Sequence, residues 1–301
     1  MHRYPDYYEK FTCIADKCKH NCCIGWGIDI DEDTLSFYEN HSGALKDHLK
    51  NSISYEDTPH FILTDTERCP FLNDKNLCDI ICTLGEEHIC GICTEHPRFH
   101  NELPGRIESG LGLCCEEACR LIITNKEKTT FIGEAETDDE IIILRDEIIT
   151  VLQDRAFSIS QRIEKMLALC DTEYESKPLK EYSKTLLSLE ILEKEWKNLL
   201  ENIDDEKSDD FSLFMNDRQH EYEQFCVYLI YRHFANAPDI EEAQKRARFT
   251  AFALDFIYKL GKHIYAKTND FSVDTQLDIM RQFSSEIEYS DENLHTLFDI
   301  V

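Results

Sequence analysis

Four cysteines, Cys13, Cys18, Cys22 and Cys23, fall within eleven residues of a single stretch, FTCIADKCKHNCCIGWGIDID, from Phe11 to Asp31. Thiols at this density in a chain without an export signal point to metal binding, because thiolate sulfur is a soft ligand and clustering is the signature of a site. Cys18 and Cys22 stand four apart and would share one side of a helical turn. Cys22 and Cys23 are neighbours and cannot both face one small ion without distorting the backbone, which leaves at least one for a second role. The plainer alternative is a set of buried, unliganded thiols, since free cysteine packs as a small apolar residue.

More thiols follow. Cys69-Pro-Phe-Leu and Leu77-Cys78-Asp-Ile flank a turn at Asn73–Asn76, then come Cys82, the pair Cys90 and Cys93, and the group Cys114, Cys115 and Cys119. Twelve of the fourteen cysteines precede residue 120, with only Cys170 and Cys226 beyond it. The radical loop that cleaves S-adenosylmethionine needs Cys-x3-Cys-x2-Cys. Cys18/Cys22, Cys78/Cys82 and Cys115/Cys119 each have the first spacing and lack the third ligand. Cys90-x2-Cys93 is a knuckle-like zinc pair, yet four thiolates gathered from dispersed positions suit an iron–sulfur cluster equally well. Gly25-x-Gly27 and Gly110-x-Gly112 lack the third glycine of a dinucleotide loop, so a Rossmann site is excluded.

The 301 residues carry a net charge of −28, which repels phosphate backbones and argues against nucleic acid as a partner. The opening MHRYPDYYEK has no apolar segment, and the longest apolar run, Cys226–Tyr231, is too short to cross a bilayer. A cytoplasmic protein with no membrane partner is the expectation.

These groups must be positioned by two kinds of chain. Residues 1–125 read as a cysteine-rich metal-cluster region of short strands and turns, with Phe61-Ile-Leu and Arg106–Leu113 as small strands and a helix starting at Glu116. Residues 126–301 read as an all-helical body, the two packing as one compact unit. Ile141, Leu144, Ile148 and Leu152 form a stripe behind Asp138-Asp139-Glu140, and Ser158-x-x-Gln161 reads as a capping box. Tyr182 to Leu200 predicts one long third helix, Asn202–Asp210 an acidic loop, and Tyr222–His233 a fourth helix. Ile240–Ile264 is apolar on several faces and predicts the central buried helix. Two shorter helices follow, at Val273–Phe283 and from Asp291 onward. The fold class is mainly α: a helical bundle with an N-terminal cysteine-rich metal-binding region.

On the fourth helix Tyr228, Tyr231, Arg232 and His233 stand beside Glu221 and Glu223. Tyr228, Tyr231 and Glu223 are the candidates to take a proton from an amine; the alternative is that they are satisfied core groups.

These residues resemble the flagellin lysine-N-methylases (the FliB family). The stretch from Phe11 to Asp31 is similar to the family's opening signature, F-x-C-I…C…CC-x-G-W-x-I-x-I-D. Cys69-Pro-Phe-Leu…Cys78-x-Ile is similar to a second block. Cys93-x-x-His96-Pro97-Arg98 is similar to a C-x-x-Y-P-R block, with His96 in place of tyrosine. Leu113–Leu121 resembles S-C-P-E-A-A-R-L, departing at Cys114, Glu116 and Cys119. Arg145…Arg155, Tyr228…Tyr231-Arg232-His233-Phe234 and Glu286–Leu294 are similar as well. The resemblance implies an S-adenosylmethionine-dependent protein-lysine N-methyltransferase acting on flagellin, with an iron–sulfur cluster, zinc being the alternative that spacing leaves open. The thiols it carries over are Cys13, Cys18, Cys22, Cys23, Cys69, Cys78, Cys93 and Cys115; Cys82, Cys90, Cys114 and Cys119 match no position of the family. A non-catalytic metal-binding interaction module and an iron–sulfur electron-transfer protein are the rival classes.

Overall fold

The computed structural model describes residues 2–134, 136–203 and 210–301. It is mainly helical with a small sheet. The chain separates into two compact units, Thr12–Phe99 and Met1–Phe11 with His100–Val301. The smaller unit holds nine cysteines, Cys13 to Cys93, whereas Cys114, Cys115 and Cys119 belong to the larger.

Strand β1 (His2–Pro5) opens the larger unit. The smaller unit is built from α1 (Glu32–Asn40), α2 (Lys46–Asn51), β2 (Ile53–Ser54), β3 (His60–Phe61), α3 (Asp79–Leu84) and α4 (Gly91–Glu95). Its core gathers Ile28, Ile30, Tyr38, Leu49, Phe61 and Phe71. The alternation of Ile28 and Ile30 is used as the sequence suggests: both point inward, while the Ile28 carbonyl accepts from Phe61 N–H at 3.0 Å. Asp31 starts α1 by accepting from Thr34 N–H at 3.0 Å, which satisfies one of the helix's open donors. Helix α4 stops at Glu95, because a residue before proline is driven out of the helical region and His96 adopts an extended conformation.

Strands β4 (Arg98–Leu103), which enters the larger unit at His100, and β5 (Arg106–Leu111) join β1 and β6 (Phe131–Ile132) in the order β4-β5-β1-β6. β1 runs parallel to β5 and antiparallel to β6. The loose alternation expected of β5 fails, for Ile107 is exposed while Arg106, Glu108 and Ser109 are buried. Charge pairing explains the inversion. Glu108 is held by both guanidinium nitrogens of Arg145, one at 3.0 Å, and by Arg106 at 3.4 Å, so its buried charge is compensated.

The helices are α5 (Glu116–Ile123), α6 (Glu140–Leu152), α7 (Ile159–Leu169), α8 (Leu179–Leu187), α9 (Lys194–Glu201), α10 (Phe211–Phe214), α11 (Gln219–His233), α12 (Ile240–Thr268), α13 (Val273–Phe283) and α14 (Asp291–Ile300). The Ser158–Gln161 capping box forms, and Asp139 caps α6. The single long helix expected from Tyr182 to Leu200 is two helices. Between them Glu286 accepts from the N–H groups of Leu192 (2.9 Å) and Glu193 (2.5 Å), and Asn293 accepts from Glu190 N–H (2.9 Å). Side chains from the C-terminal segment thus replace the helical acceptors. Helix α12 is deeply buried as expected, but α11 shares the centre with it, every residue from Glu221 to Tyr231 being buried. A π-helical turn, Ser284–Glu288, joins α13 to α14. Most of the acidic stretch Asn202–Asp210 lies outside the described residues.

Candidate functional site

The smaller unit brings thiols together through backbone pairing. Cys69 N–H donates to Cys23 O at 2.8 Å and Gly25 N–H to Glu67 O at 2.8 Å, which ties the N-terminal thiols to the Cys69 segment. Asp79 N–H donates to Phe71 O at 2.8 Å, and Leu72 bridges Cys78, which brings that cysteine alongside. The second oxygen of Asp31 accepts from Gly91 N–H at 2.8 Å, anchoring the Cys90–Cys93 turn to the start of α1. Tyr38 donates to His88 O at 2.7 Å, and its oxygen lies 3.9 Å from Cys90 Sγ. Cys69 and Cys90 are buried in the unit's core, with Cys23, Cys78 and Cys93 packed against the same core.

The thiols act on one another electrically. The Cys23 thiol hydrogen-bonds to Cys22 and holds it down to about 7, while that bond and burial push Cys23 up. Cys90 and Cys93 form a matching pair, the hydrogen bond from Cys93 lowering Cys90. Cys23 feels the charges of Cys69 and Cys93, and burial pushes Cys69 up to about 11. Among the described residues no group of three or more His, Cys, Asp or Glu side chains is arranged to hold a metal ion as it stands. The donor chemistry nevertheless fits a sulfur-ligated cluster, with half-buried or buried thiols from separate segments meeting at one core.

Of the eight thiols carried over in sequence, Cys22, Cys23, Cys69, Cys78 and Cys93 join this array. Cys13 is exposed and accepts from Ala15 N–H at 3.4 Å, Cys18 donates to His20 O at 3.3 Å, and Cys115 lies in the larger unit. Cys90, set apart in the sequence, stands in the middle of the array. Its Cys-x2-Cys spacing to Cys93 was the signal that pointed to it.

In the larger unit a polar network gathers residues from three separated motifs. Tyr228 donates to the Glu288 carboxylate at 2.9 Å and accepts from Arg232 Nη1 at 2.7 Å and Leu113 N–H at 3.2 Å. His233 Nε2 lies 2.7 Å from Glu288, and Arg232 Nε 3.4 Å from it. Burial alone would raise the Glu288 carboxyl, but Arg232 and His233 outweigh it and hold it below the usual carboxylate range. Burial drives His233 down and Tyr228 far up, so the network carries a carboxylate, a guanidinium, a neutral imidazole and an un-ionised phenol. Tyr289 hydrogen-bonds to Cys114, and the Arg232 guanidinium lies 5.1 Å from its ring centre. Gly112 makes room: a Cβ there would collide with Tyr289 Oη and stand 3.1 Å from Arg232 Nη1.

Of the three proton-handling candidates, only Tyr228 belongs to this network. Tyr231 packs under Arg145 and points its hydroxyl at the carbonyls of Arg3 (3.1 Å) and Ser109 (3.3 Å). Both oxygens of Glu223 are engaged by Arg155 at 2.8 Å and Arg162 at 2.6 Å. Glu288, Tyr289 and Cys114 were in the quoted motifs, without a sign in the sequence that they meet.

The chain is thus a mainly helical protein with a thiol-lined smaller unit and a buried carboxylate network in the larger. In sequence it is 26% identical over 137 residues to a lysine-N-methylase of Salmonella typhimurium (strain LT2), a match covering 41% of this chain and 32% of the relative. A lysine-N-methylase of Salmonella choleraesuis matches to the same extent, 26% over 137 residues. The flagellar biosynthetic protein FliU of Salmonella muenchen is 26% identical over 152 residues, 47% of this chain and 87% of that protein. The chain therefore spans about a third of the length of the two lysine-N-methylases. No family model matches the chain, and no solved structure matches it. Among the described residues no helix is long and apolar enough to cross a membrane.

Proposed function

We propose that the chain carries out S-adenosylmethionine-dependent N-methylation of lysine side chains, with flagellin as protein substrate and an iron–sulfur cluster held by thiols of the smaller unit. The similarity to two Salmonella lysine-N-methylases carries this reading, and the flagellar name of the third relative agrees with it. Cys23, Cys69, Cys90 and Cys93, with Cys22 and Cys78 adjoining, are the residues that would hold the cluster. Its thiolate bonds would tie separate segments together and add metal-binding free energy to folding.

S-adenosylmethionine supplies the methyl group: the bond from carbon to the lysine nitrogen forms as the bond from carbon to sulfonium sulfur breaks. The amine must give up a proton. The ionised Glu288 carboxylate, hydrogen-bonded to Tyr228, is the proposed acceptor, a weak base because its neighbours hold its proton affinity down. A net charge of −28 favours the approach of a cationic substrate segment. Calorimetric titration of iron-loaded protein with S-adenosylmethionine, followed by assay of S-adenosylhomocysteine with and without flagellin, tests the reading. Cofactor binding with flagellin-dependent product supports it; iron-loaded protein that neither binds the cofactor nor forms product overturns it.

A further inference from the structure

The larger unit contains a cleft of about 610 Å³ between the start of α7 and the start of α11, within the range of small-ligand sites. Its lining is unusual for so acidic a chain. Lys126, Arg155, Arg162 and His220 all face it, with Glu223 and Asp217 the acidic members.

Glu223 organises the two arginines. It receives Arg155 Nε and Nη2 and Arg162 Nη1, and Arg155 Nη2 also reaches Lys126 O at 2.8 Å, while Arg162 Nε and Nη1 reach Phe157 O and Leu152 O at 2.9 and 3.0 Å. These bonds consume the carboxylate and fix both guanidinium planes. They leave Arg155 Nη1 and Arg162 Nη2 without an acceptor among the described residues. Arg162 is 5% exposed and fixed by its other bonds, so its open nitrogen is a pre-positioned donor at the cleft wall. Lys126 Nζ and the His220 ring likewise have no hydrogen-bond partner among the described residues. Ser158 and Ile159, the cap and first residue of α7, line the same cleft; the Ser158 side chain takes up the Gln161 N–H, so what the start of this eleven-residue helix adds is the positive end of its dipole.

From this arrangement we infer that the cleft binds a small ligand through a carboxylate or phosphate group, seated between Arg155, Arg162 and Lys126 at the start of α7. Fixed guanidinium donors with a helix N-terminus recognise a planar or tetrahedral oxyanion by geometry as well as by charge. The cleft does not involve Glu288 or the thiols, and the inference stands independently of the methylase reading.

The 301-residue protein is titrated calorimetrically at low salt with inorganic phosphate, AMP and S-adenosylhomocysteine, which separate a phosphate from a carboxylate source. At least one should bind, and binding should weaken on adding salt. Lys126→Glu replaces an exposed, unpaired cation and should leave the melting temperature in place while weakening binding about 10-fold or more; Arg155→Gln, which removes one fork, should act in the same direction. Absence of binding by all three probes at millimolar concentration overturns the inference. Equal affinity in the parent and in folded Lys126→Glu and Arg155→Gln overturns it too.

Discussion

Replacing Glu288 by alanine removes the one carboxylate that Tyr228, Arg232 and His233 share. Its side chain is wholly buried and takes contacts of 2.9 Å from Tyr228, 2.7 Å from His233 and 3.4 Å from Arg232. Removing one partner of a buried pair costs about 3–5 kcal/mol, since the other charge stays buried without compensation. The Arg232 side chain is 12% exposed, which places the expected loss at the lower end, about 3 kcal/mol. Glu288→Gln also removes the charge but keeps an acceptor for Tyr228, so it should cost somewhat less than alanine, about 2–3 kcal/mol. The assay is urea unfolding followed by Trp196, which is buried in the larger unit, in a Trp26→Phe background so that the smaller unit is silent. The midpoint should fall in the order parent, Glu288→Gln, Glu288→Ala, with the slope unchanged. A loss under about 1 kcal/mol for Glu288→Ala would refute the claim that this carboxylate balances the network's charge.

Gly112→Ala should distort the same network, since the new methyl meets Tyr289 Oη and Arg232 Nη1; a loss of about 1–3 kcal/mol is expected in the same unfolding assay. The Glu286 carboxyl is pushed up to about 7, chiefly by burial. A raised acid binds its proton more tightly in the folded chain, so this group's contribution is lost as pH rises from the ordinary carboxylate range through about 7. Glu286→Gln should remove that slope, seen by comparing melting temperatures of parent and variant across the window. Cys69→Ser and Cys93→Ser should lower iron and acid-labile sulfide in anaerobically purified protein, whereas Cys170→Ala should retain both and cost only about 1 kcal/mol of packing.

Local rules of the sequence carried far. The Ser158–Gln161 box and the acidic run Asp138-Asp139-Glu140 before the Ile141 stripe depend on residues close in the chain; the box forms as read, and a helix starts at Glu140 with Asp139 as its cap. What was hidden depends on partners distant in the chain. The break between α8 and α9 exists because Glu286 and Asn293 reach backbone groups 93 to 103 residues away. Glu288 meets Tyr228 and His233 across 60 and 55 residues, so Glu288 showed only as part of a quoted block. Glu223, marked for chemistry beside two tyrosines, is committed to arginines from α7 and the loop before it. Cys90 was legible in its spacing to Cys93 and was set aside only when the thiols were sorted by resemblance.

The most direct test of the proposed activity is intact-mass and peptide mass spectrometry of flagellin incubated with iron-loaded protein and methyl-labelled S-adenosylmethionine. The account predicts steps of one methyl mass confined to lysines, absent without the cofactor and absent with Cys69→Ser protein stripped of its iron. Unmodified flagellin, from protein shown to carry its iron and to bind the cofactor, would contradict it.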